Sequence, residues 1–262
     1  MFEILSKRYR YLLFQLVKRE ITTRYKTSAL GLVWAVILPL AMLAVYTFVF
    51  QGVFKARWPG QEMSADFPLN VFCGLIVFTL FSETIGRAPG LVAEQPNLVK
   101  KVVFPIELLV WVNVLNALFY ALISLTVLVL GVLFIKHTIS FEILLLIPIL
   151  AVFSIFLAGA TLLLSALGVY FPDLRHLVIV IMTPLLFLSP VFYPVSAMPE
   201  LVQPVIAFNP LTHVIESVRL AVISEMPVDF SPLVYYSIAS VGLWFVGSKV
   251  FRALKKGFAD VI

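Results

Sequence analysis

Long apolar runs without charged residues alternate with short polar segments along most of the chain. Several of these runs exceed the roughly 20 residues that a helix needs to cross the hydrocarbon core of a bilayer. They predict six membrane spans, at about residues 30–54, 67–86, 105–135, 143–171, 177–193 and 233–250. The strand-like alternation of apolar and polar residues that is typical of an outer-membrane barrel is missing. The sequence therefore predicts an all-α membrane protein with a single membrane domain, residues 1–262.

The N-terminal segment, Phe2 to Thr27, has a different pattern, in which apolar and basic residues occupy largely separate faces of a helix. The residues on its apolar face are Leu5, Tyr9, Leu12, Leu13, Leu16 and Val17. Such a helix binds an anionic membrane surface without crossing it. We expect residues 1–28 to form an amphipathic helix at the interface.

Composition and charge agree with a membrane protein and add an orientation. The chain is 61% hydrophobic and 13% charged, against about 25% charged residues in soluble domains. Its lysines and arginines concentrate in the N-terminal segment, in the loops after spans two and four, and in the C-terminal tail. The positive-inside rule then places both termini in the cytoplasm. Cys73 is the single cysteine, which excludes an intramolecular disulfide.

Motifs that would supply energy or catalysis are missing from the sequence. It contains no GxxxxGK[ST] phosphate loop, HExxH or GxSxG pattern. Glu83 and Arg87, four residues apart, predict a helix-end ion pair. A proton-coupled transporter or an intramembrane enzyme would need buried carboxylates or histidines, whereas His137, His176 and His213 fall in loops or near the predicted gate. We therefore expect no cofactor in this chain and an energy source in a partner.

The loop between spans two and three, residues 88–104, is where such a partner is expected to bind. Pro89, Pro96 and Pro105, in and just after the loop, predict short helical pieces between breaks. Exposed apolar residues beside lysines suit a helix that docks into a groove. Lipid headgroups are the alternative contact. The candidate coupling residues are Leu91, Val92, Leu98, Lys100, Lys101, Val102 and Val103.

Span three carries a polar stripe on one face, formed by Asn113, Asn116, Tyr120 and Ser124. Amide and hydroxyl side chains commonly hydrogen-bond between membrane helices, so contacts within the bundle are one interpretation and a pore lining is the other. Aromatic residues near span ends have two interpretations as well. Most fit an interfacial belt, and a subset offers ring faces on which a passing sugar can stack.

The segment between spans five and six, residues 195–228, is too apolar for a free loop and too short to span the bilayer. It predicts two short helices, Met198 to Phe208 and Thr212 to Glu225, separated by the cap and turn signal Asn209-Pro210. Pro184, Pro190 and Pro194 predict that the fifth span is interrupted near Ser189. We expect a re-entrant pair of gate helices at the outer face, with an i, i+3 pair between Glu216 and Arg219.

Five ordered motifs resemble the permease subunit of type-2 ABC exporters for cell-envelope polysaccharides, closest to the O-antigen and teichoic-acid branch. They are TTRYKTSALGLVWAVILPL (22–40), LVKKVVFPIE (98–107), VYFPDLRHL (169–177), SPVFYP (189–194) and FNPLTHVIESVR (208–219). The resemblance implies a homodimer in a bacterial cytoplasmic membrane, bound to two copies of a separate cytoplasmic ATPase that uses ATP and Mg. Lipid-linked polysaccharide is the implied substrate, membrane lipids surround the dimer, and no nucleic acid is involved.

The resemblance also implies roles for particular residues. Residues 91–103 match the segment that contacts the ATPase. The implied outer gate includes Pro194, Asn209, Pro210, Glu216 and Arg219, and the implied channel-lining aromatics are Tyr46, Phe78, Phe81, Phe187, Phe192 and Tyr193. Asn113 and Asn116 would add weak, exchangeable hydrogen bonds to the sugars, and Tyr120 would line the channel with them. Relatives that export a small lipid or a drug share this architecture and remain the alternative.

Overall fold

A computed structural model describes residues 7–24, 26, 28–55, 58, 66–100, 104–137, 140–223 and 230–262. All regular structure in these residues is helical. The α-helices are α1 (Lys7–Arg24), α2 (Trp34–Tyr46), α3 (Asp66–Arg87), α4 (Pro96–Lys100), α5 (Glu107–Lys136), α6 (Leu146–Tyr170), α7 (Leu174–Phe187), α8 (Gln203–Ala207), α9 (Pro210–Val222), α10 (Phe230–Leu254) and α11 (Phe258–Val261). A π-helical stretch, Thr47–Val53, continues α2.

Five segments of the described chain are long and apolar enough to cross a membrane. They are Gly31–Val53, Asp66–Gly90, Glu107–Lys136, Phe141–Tyr170 and Ser231–Val261, and they correspond to five of the six predicted spans.

The predicted span at 177–193 corresponds to α7, which is shorter than a usual membrane span. This helix has 14 residues, about 21 Å at 1.5 Å per residue, against a hydrocarbon core of roughly 30 Å. It ends at Phe187, which agrees with the interruption predicted near Ser189. The six-span count therefore stays a prediction.

Helix α3 forms the centre of the helical bundle. The most apolar stretch of Asp66–Gly90 is 72% buried, compared with 6% for Gly31–Val53. Helices α2, α5, α6, α7 and α9 all pack against α3. The large exposed face of α2 is left for lipid or for another protein.

Helices α6 and α10 cross at very short range because glycines lie at the contact. A Cβ atom added to Gly159 would lie 2.6 Å from the backbone nitrogen of Trp244, and one added to Gly247 would lie 2.4 Å from the carbonyl oxygen of Gly159. Small residues at helix contacts are typical of membrane bundles, where close backbone approach replaces the hydrophobic driving force.

The bundle has two ends, which we name by the helices that lie there. At the α1 end, Phe258 of α11 is fully buried against Tyr170 and Phe251, and the Tyr170 hydroxyl donates to the carbonyl of Leu254 at 3.0 Å. These contacts hold the C-terminal helix beneath α6. The opposite end, where α5 finishes and α3 begins, carries α9, and we call it the α9 end.

Candidate functional site

Two ion pairs attach α1 to α3 at the α1 end. Arg24 pairs with Glu83 at 2.7 Å, and Glu20 pairs with Arg87 at 2.6 Å. The predicted pair between Glu83 and Arg87 is therefore wrong. Because α1 packs across the ends of α3 and α5, each of the two residues has its partner on α1.

A cavity of about 530 Å³ opens beside these ion pairs, between α1, α3, α5 and α7. We call it the charged cavity. The charged and amide side chains of its wall are Glu20, Arg24, Glu83, Arg87, Asn113 and Asn116. Their opposite charges nearly cancel, so this wall is polar but not strongly attractive to either anions or cations.

A second cavity of about 210 Å³ lies between α2, α3 and α5, and we call it the aromatic cavity. Tyr46 and Tyr120 line it, and Ser124 contributes a hydroxyl group. Glu83 and Ala117 line both cavities. The two cavities are thus neighbours along one face of α5 and lead from the α1 end into the bundle.

The polar stripe of α5 both makes hydrogen bonds within the bundle and lines cavities, as the two interpretations of the sequence proposed. Asn113 donates to the carbonyl of Thr84 at 2.9 Å, and the Tyr120 hydroxyl donates to that of Ile21 at 3.4 Å. These are contacts between helices. The same side chains line the two cavities, and the Oδ1 atom of Asn116 is buried without a hydrogen-bond partner among the described residues.

A chain of aromatic rings runs from the aromatic cavity to the α9 end. Tyr46 stacks on Phe50 with 6.2 Å between ring centres, and Phe50 lies 5.1 Å from Phe67. Trp58 contacts Phe67 edge-on at 5.4 Å and carries the guanidinium of Arg219 at 4.6 Å from its ring centre. Spacings of this size are favourable for ring pairs and cation–π contacts. Phe50, Phe67 and Trp58 were not among the predicted site residues.

The remaining predicted channel aromatics form two separate groups. Phe187 and Phe192 stack at 5.9 Å just beyond α7, where the Tyr193 hydroxyl donates to the carbonyl of Phe187. Phe78 and Phe81 are 8% and 7% exposed and pack into the core. They line neither the charged nor the aromatic cavity, so the predicted aromatics do not share one surface of the described bundle.

The predicted cap of α9 is confirmed. Asn209 accepts a hydrogen bond from the backbone N–H of Leu211 at 2.9 Å, and Pro210 occupies the first turn of the helix. The Nδ2 group of Asn209 also donates to the Ser189 hydroxyl at 2.9 Å. Asn209 thereby joins the start of α9 to the segment that follows α7. Pro194 lies in that segment, with its backbone extended.

Arg219 attaches α9 to α3 and to the segment after α7. The predicted pair with Glu216 is confirmed at 2.9 Å. The guanidinium also donates to the carbonyls of Val191 at 2.8 Å and Asn70 at 3.2 Å. Gly74 makes room for it, since a Cβ there would lie 3.0 Å from Nη2. Burial lowers the pKa of Arg219, an effect opposed by the Glu216 carboxylate.

Lys136 provides a second attachment at the α9 end, one that the sequence did not reveal. Its ammonium lies 3.3 Å from Asp66 and donates to the carbonyl of Ile223 at 2.9 Å. Only the positions of Asp66 and Lys136 at helix ends could have predicted this pair. Asp66 begins one membrane helix and Lys136 ends the next long one, so antiparallel packing brings the two charges together.

The predicted coupling segment contains a 3₁₀ turn, Ala88–Gly90, and α4, as its prolines indicated. Val92, however, is fully buried, and Leu91 and Leu98 are only half-exposed. The prediction that Val92 is exposed is therefore wrong, because the 3₁₀ turn packs against α6 and α4 packs against α11. Lys100 is exposed. Lys101, Val102 and Val103 lie outside the described residues.

Comparison with known proteins identifies the family. The model of the ABC-2 type transporter family matches residues 11–223, from within α1 to just beyond α9. The chain belongs to the ABC-2 type transporter family.

Several relatives resemble this ABC-2 transporter chain over nearly its whole length. The O-antigen export system permease protein RfbA of Myxococcus xanthus is 30% identical over 97% of the chain and 96% of the relative. RfbA of Klebsiella pneumoniae is 26% identical over 96% and 95%. The polysialic acid transport protein KpsM of Escherichia coli is 27% identical over 89% and 90%.

Proposed function

We propose that this protein is the membrane-spanning permease subunit of an ATP-driven exporter that moves lipid-linked polysaccharide, O-antigen in particular, across the bacterial cytoplasmic membrane. The observation that carries the proposal is the end-to-end match to an O-antigen export permease at 30% identity. The relatives named above export O-antigen or transport polysialic acid by name, which favours a polymer over a small lipid or drug.

The geometry supports a weakly binding path for sugars. In this proposal the polymer enters near the charged cavity and meets Asn113 and Asn116, then passes the ring of Tyr46. Ring faces accept the apolar C–H surfaces of sugars, and amide hydrogen bonds exchange readily with water. Contacts of this kind suit stepwise movement, because a tightly bound polymer would stop.

The proposal assigns energy and assembly to partners. Two copies of the chain would bind two cytoplasmic ATPase subunits, which hydrolyse ATP with Mg. The 88–104 segment would contact the ATPase, with the exposed Lys100 at its surface. Both termini would be cytoplasmic, because most lysines and arginines fall on that side of the six-span arrangement. Helix α7 would then be a short fifth span, and the α9 end would face outward.

Helices α8 and α9 would form the outer gate in this arrangement. Arg219 and Lys136 tie α9 and its C-terminal end to the rest of the subunit. By contrast, α8 is five residues long and joins α9 at Asn209. Opening would therefore move α8 and the segment before it, with the bend near Asn209, while α9 stays on α3.

A deletion strain tests the function. Loss of the gene should remove polysaccharide from the cell surface and leave lipid-linked polymer inside the cell, both measured by immunoblot, and the wild-type gene should restore export. Replacing Lys100 with Glu should lower export, because it reverses a charge where the ATPase would dock, whereas Lys256→Glu serves as the control at the C-terminal tail. Normal surface polymer in the deletion strain would contradict the proposal.

A further inference from the structure

A third cavity, of about 190 Å³, lies at the α1 end on the face of the subunit formed by α5, α6 and α10. Trp111 of α5, Leu162 of α6 and Trp244 of α10 line it, and Tyr9 of α1 closes one side. None of these residues lines the charged or the aromatic cavity. Tryptophan and tyrosine concentrate at the headgroup level of membranes, so the position of this cavity fits the membrane interface.

The polar groups of this cavity leave one positive charge and one hydroxyl group available. Lys255 contacts both carboxylate oxygens of Glu107 at 2.9 Å, so these two charges cancel. The Nε of Arg252 donates to the carbonyl of Ser248 at 3.1 Å, and no carboxylate of the described residues pairs with Arg252. The Ser248 side chain is buried, and its hydroxyl has no hydrogen-bond partner among those residues.

An apolar region lies farther along the same face of α5. Another cavity, of about 520 Å³, lies between α5 and α6 and is lined on α5 by Leu118, Leu122, Leu125 and Val129. Starting from Trp111, these residues are spaced by seven, four, three and four positions, so they lie on one face of the helix. Leu118 is about 10 Å along α5 from Trp111 at 1.5 Å per residue, within the roughly 15 Å depth of one leaflet's hydrocarbon.

We propose that these two cavities form a groove that binds one anionic phospholipid of the leaflet at the α1 end. Its phosphate contacts the free guanidinium N–H groups of Arg252 and the Ser248 hydroxyl, its headgroup packs against Trp111 and Trp244, and one acyl chain follows Leu118 and Leu122. Basic pockets between membrane helices are known sites for acidic headgroups. A soluble phosphate ester would share the polar contacts but would leave the apolar part of the groove unused.

Native mass spectrometry of the full-length protein in detergent tests this proposal. The protein is incubated with phosphatidylglycerol or with phosphatidylcholine of the same acyl chains, and the fraction that carries one bound lipid is measured. We expect at least about five-fold more adduct with phosphatidylglycerol. Arg252→Gln should lower that adduct to the phosphatidylcholine level. Lys249→Gln removes an equal charge from the same helix outside the cavity and should change it less than two-fold.

Three results would overturn the proposal. Equal adducts with the two lipids would remove the charge selectivity, and equal losses in the two variants would indicate general surface attraction. Displacement of the lipid by millimolar glycerol 1-phosphate would assign the site to a soluble phosphate ester. The inference rests on the fold alone, so it holds whichever substrate the protein exports.

Discussion

Arg219 joins α9 to α3 and to the segment after α7 at the α9 end. Arg219 is 4% exposed, and its guanidinium contacts a carboxylate, two backbone carbonyl groups and the face of Trp58. A buried charge of this kind is tolerated because every side of it is paired, and removing one partner leaves the others without compensation. Exposed ion pairs behave differently, since water replaces a lost partner.

Replacing Arg219 with Leu should lower the free energy of unfolding by about 3 kcal/mol, the scale for breaking a buried charge network. Arg175→Leu is the matched control. Arg175 also pairs with a carboxylate, that of Glu94 at 2.7 Å, but both side chains are 55% exposed, so its loss should cost less than about 1 kcal/mol. Thermal unfolding of the purified variants measures both. Equal effects would contradict the role given to burial.

A substitution of Tyr46 tests the proposed path of the sugars. Tyr46→Ala should reduce surface polysaccharide several-fold and raise the intracellular lipid-linked polymer, because a ring face of the aromatic cavity is lost. Phe48→Ala is the control, since Phe48 is 69% exposed and does not line that cavity. Immunoblots of both fractions, at equal membrane levels of the protein, give the result. Unchanged export in Tyr46→Ala would exclude this ring from the path.

Helix α1 is held to the bundle by ion pairs as well as by packing. Its two pairs with α3 are partly exposed, so each contributes little by itself. Their geometry nevertheless fixes where the N-terminal helix crosses α3 and α5, and it places α1 in the wall of the charged cavity.

Charge reversal tests this attachment. Arg24→Glu places two carboxylates together and should lower the free energy of unfolding by about 1 kcal/mol, the upper range for an exposed pair. Adding Glu83→Arg to the same chain restores an opposite-charge pair and should recover most of the loss in thermal stability. A double variant no more stable than the single one would show that the pair in the structure is not the relevant contact.

The long helices were predictable from sequence because each apolar run is decided locally by hydropathy. The cap at Asn209 and the pair between Glu216 and Arg219 were predictable for the same reason, since both depend on residues within one turn. Buried Val92 and the re-paired Glu83 were not. Their surroundings come from helices that are far away in sequence, α6 and α11 for the segment of Val92 and α1 for Glu83. Periodicity gives no information on which distant helix covers a given face.

The whole protein is a helical bundle. The charged cavity opens at its α1 end, and α9 is attached to α3 at the opposite end. The charged and aromatic cavities follow one face of α5, and the ring chain from Tyr46 to Trp58 extends towards Arg219. The sequence contains no phosphate loop, and in the proposed function a separate ATPase supplies the energy for movement along this path. The proposed function therefore predicts that this chain alone moves no polymer.

A transport assay in proteoliposomes tests whether polymer movement needs both this chain and the ATPase. The permease and its partner ATPase are reconstituted with lipid-linked O-antigen, and polymer that appears on the opposite face is detected with an impermeant antibody. We expect polymer to appear only with ATP and Mg, and only when both proteins are present. Transfer without ATP, or ATP hydrolysis by the complete assembly without any transfer of polymer, would contradict it.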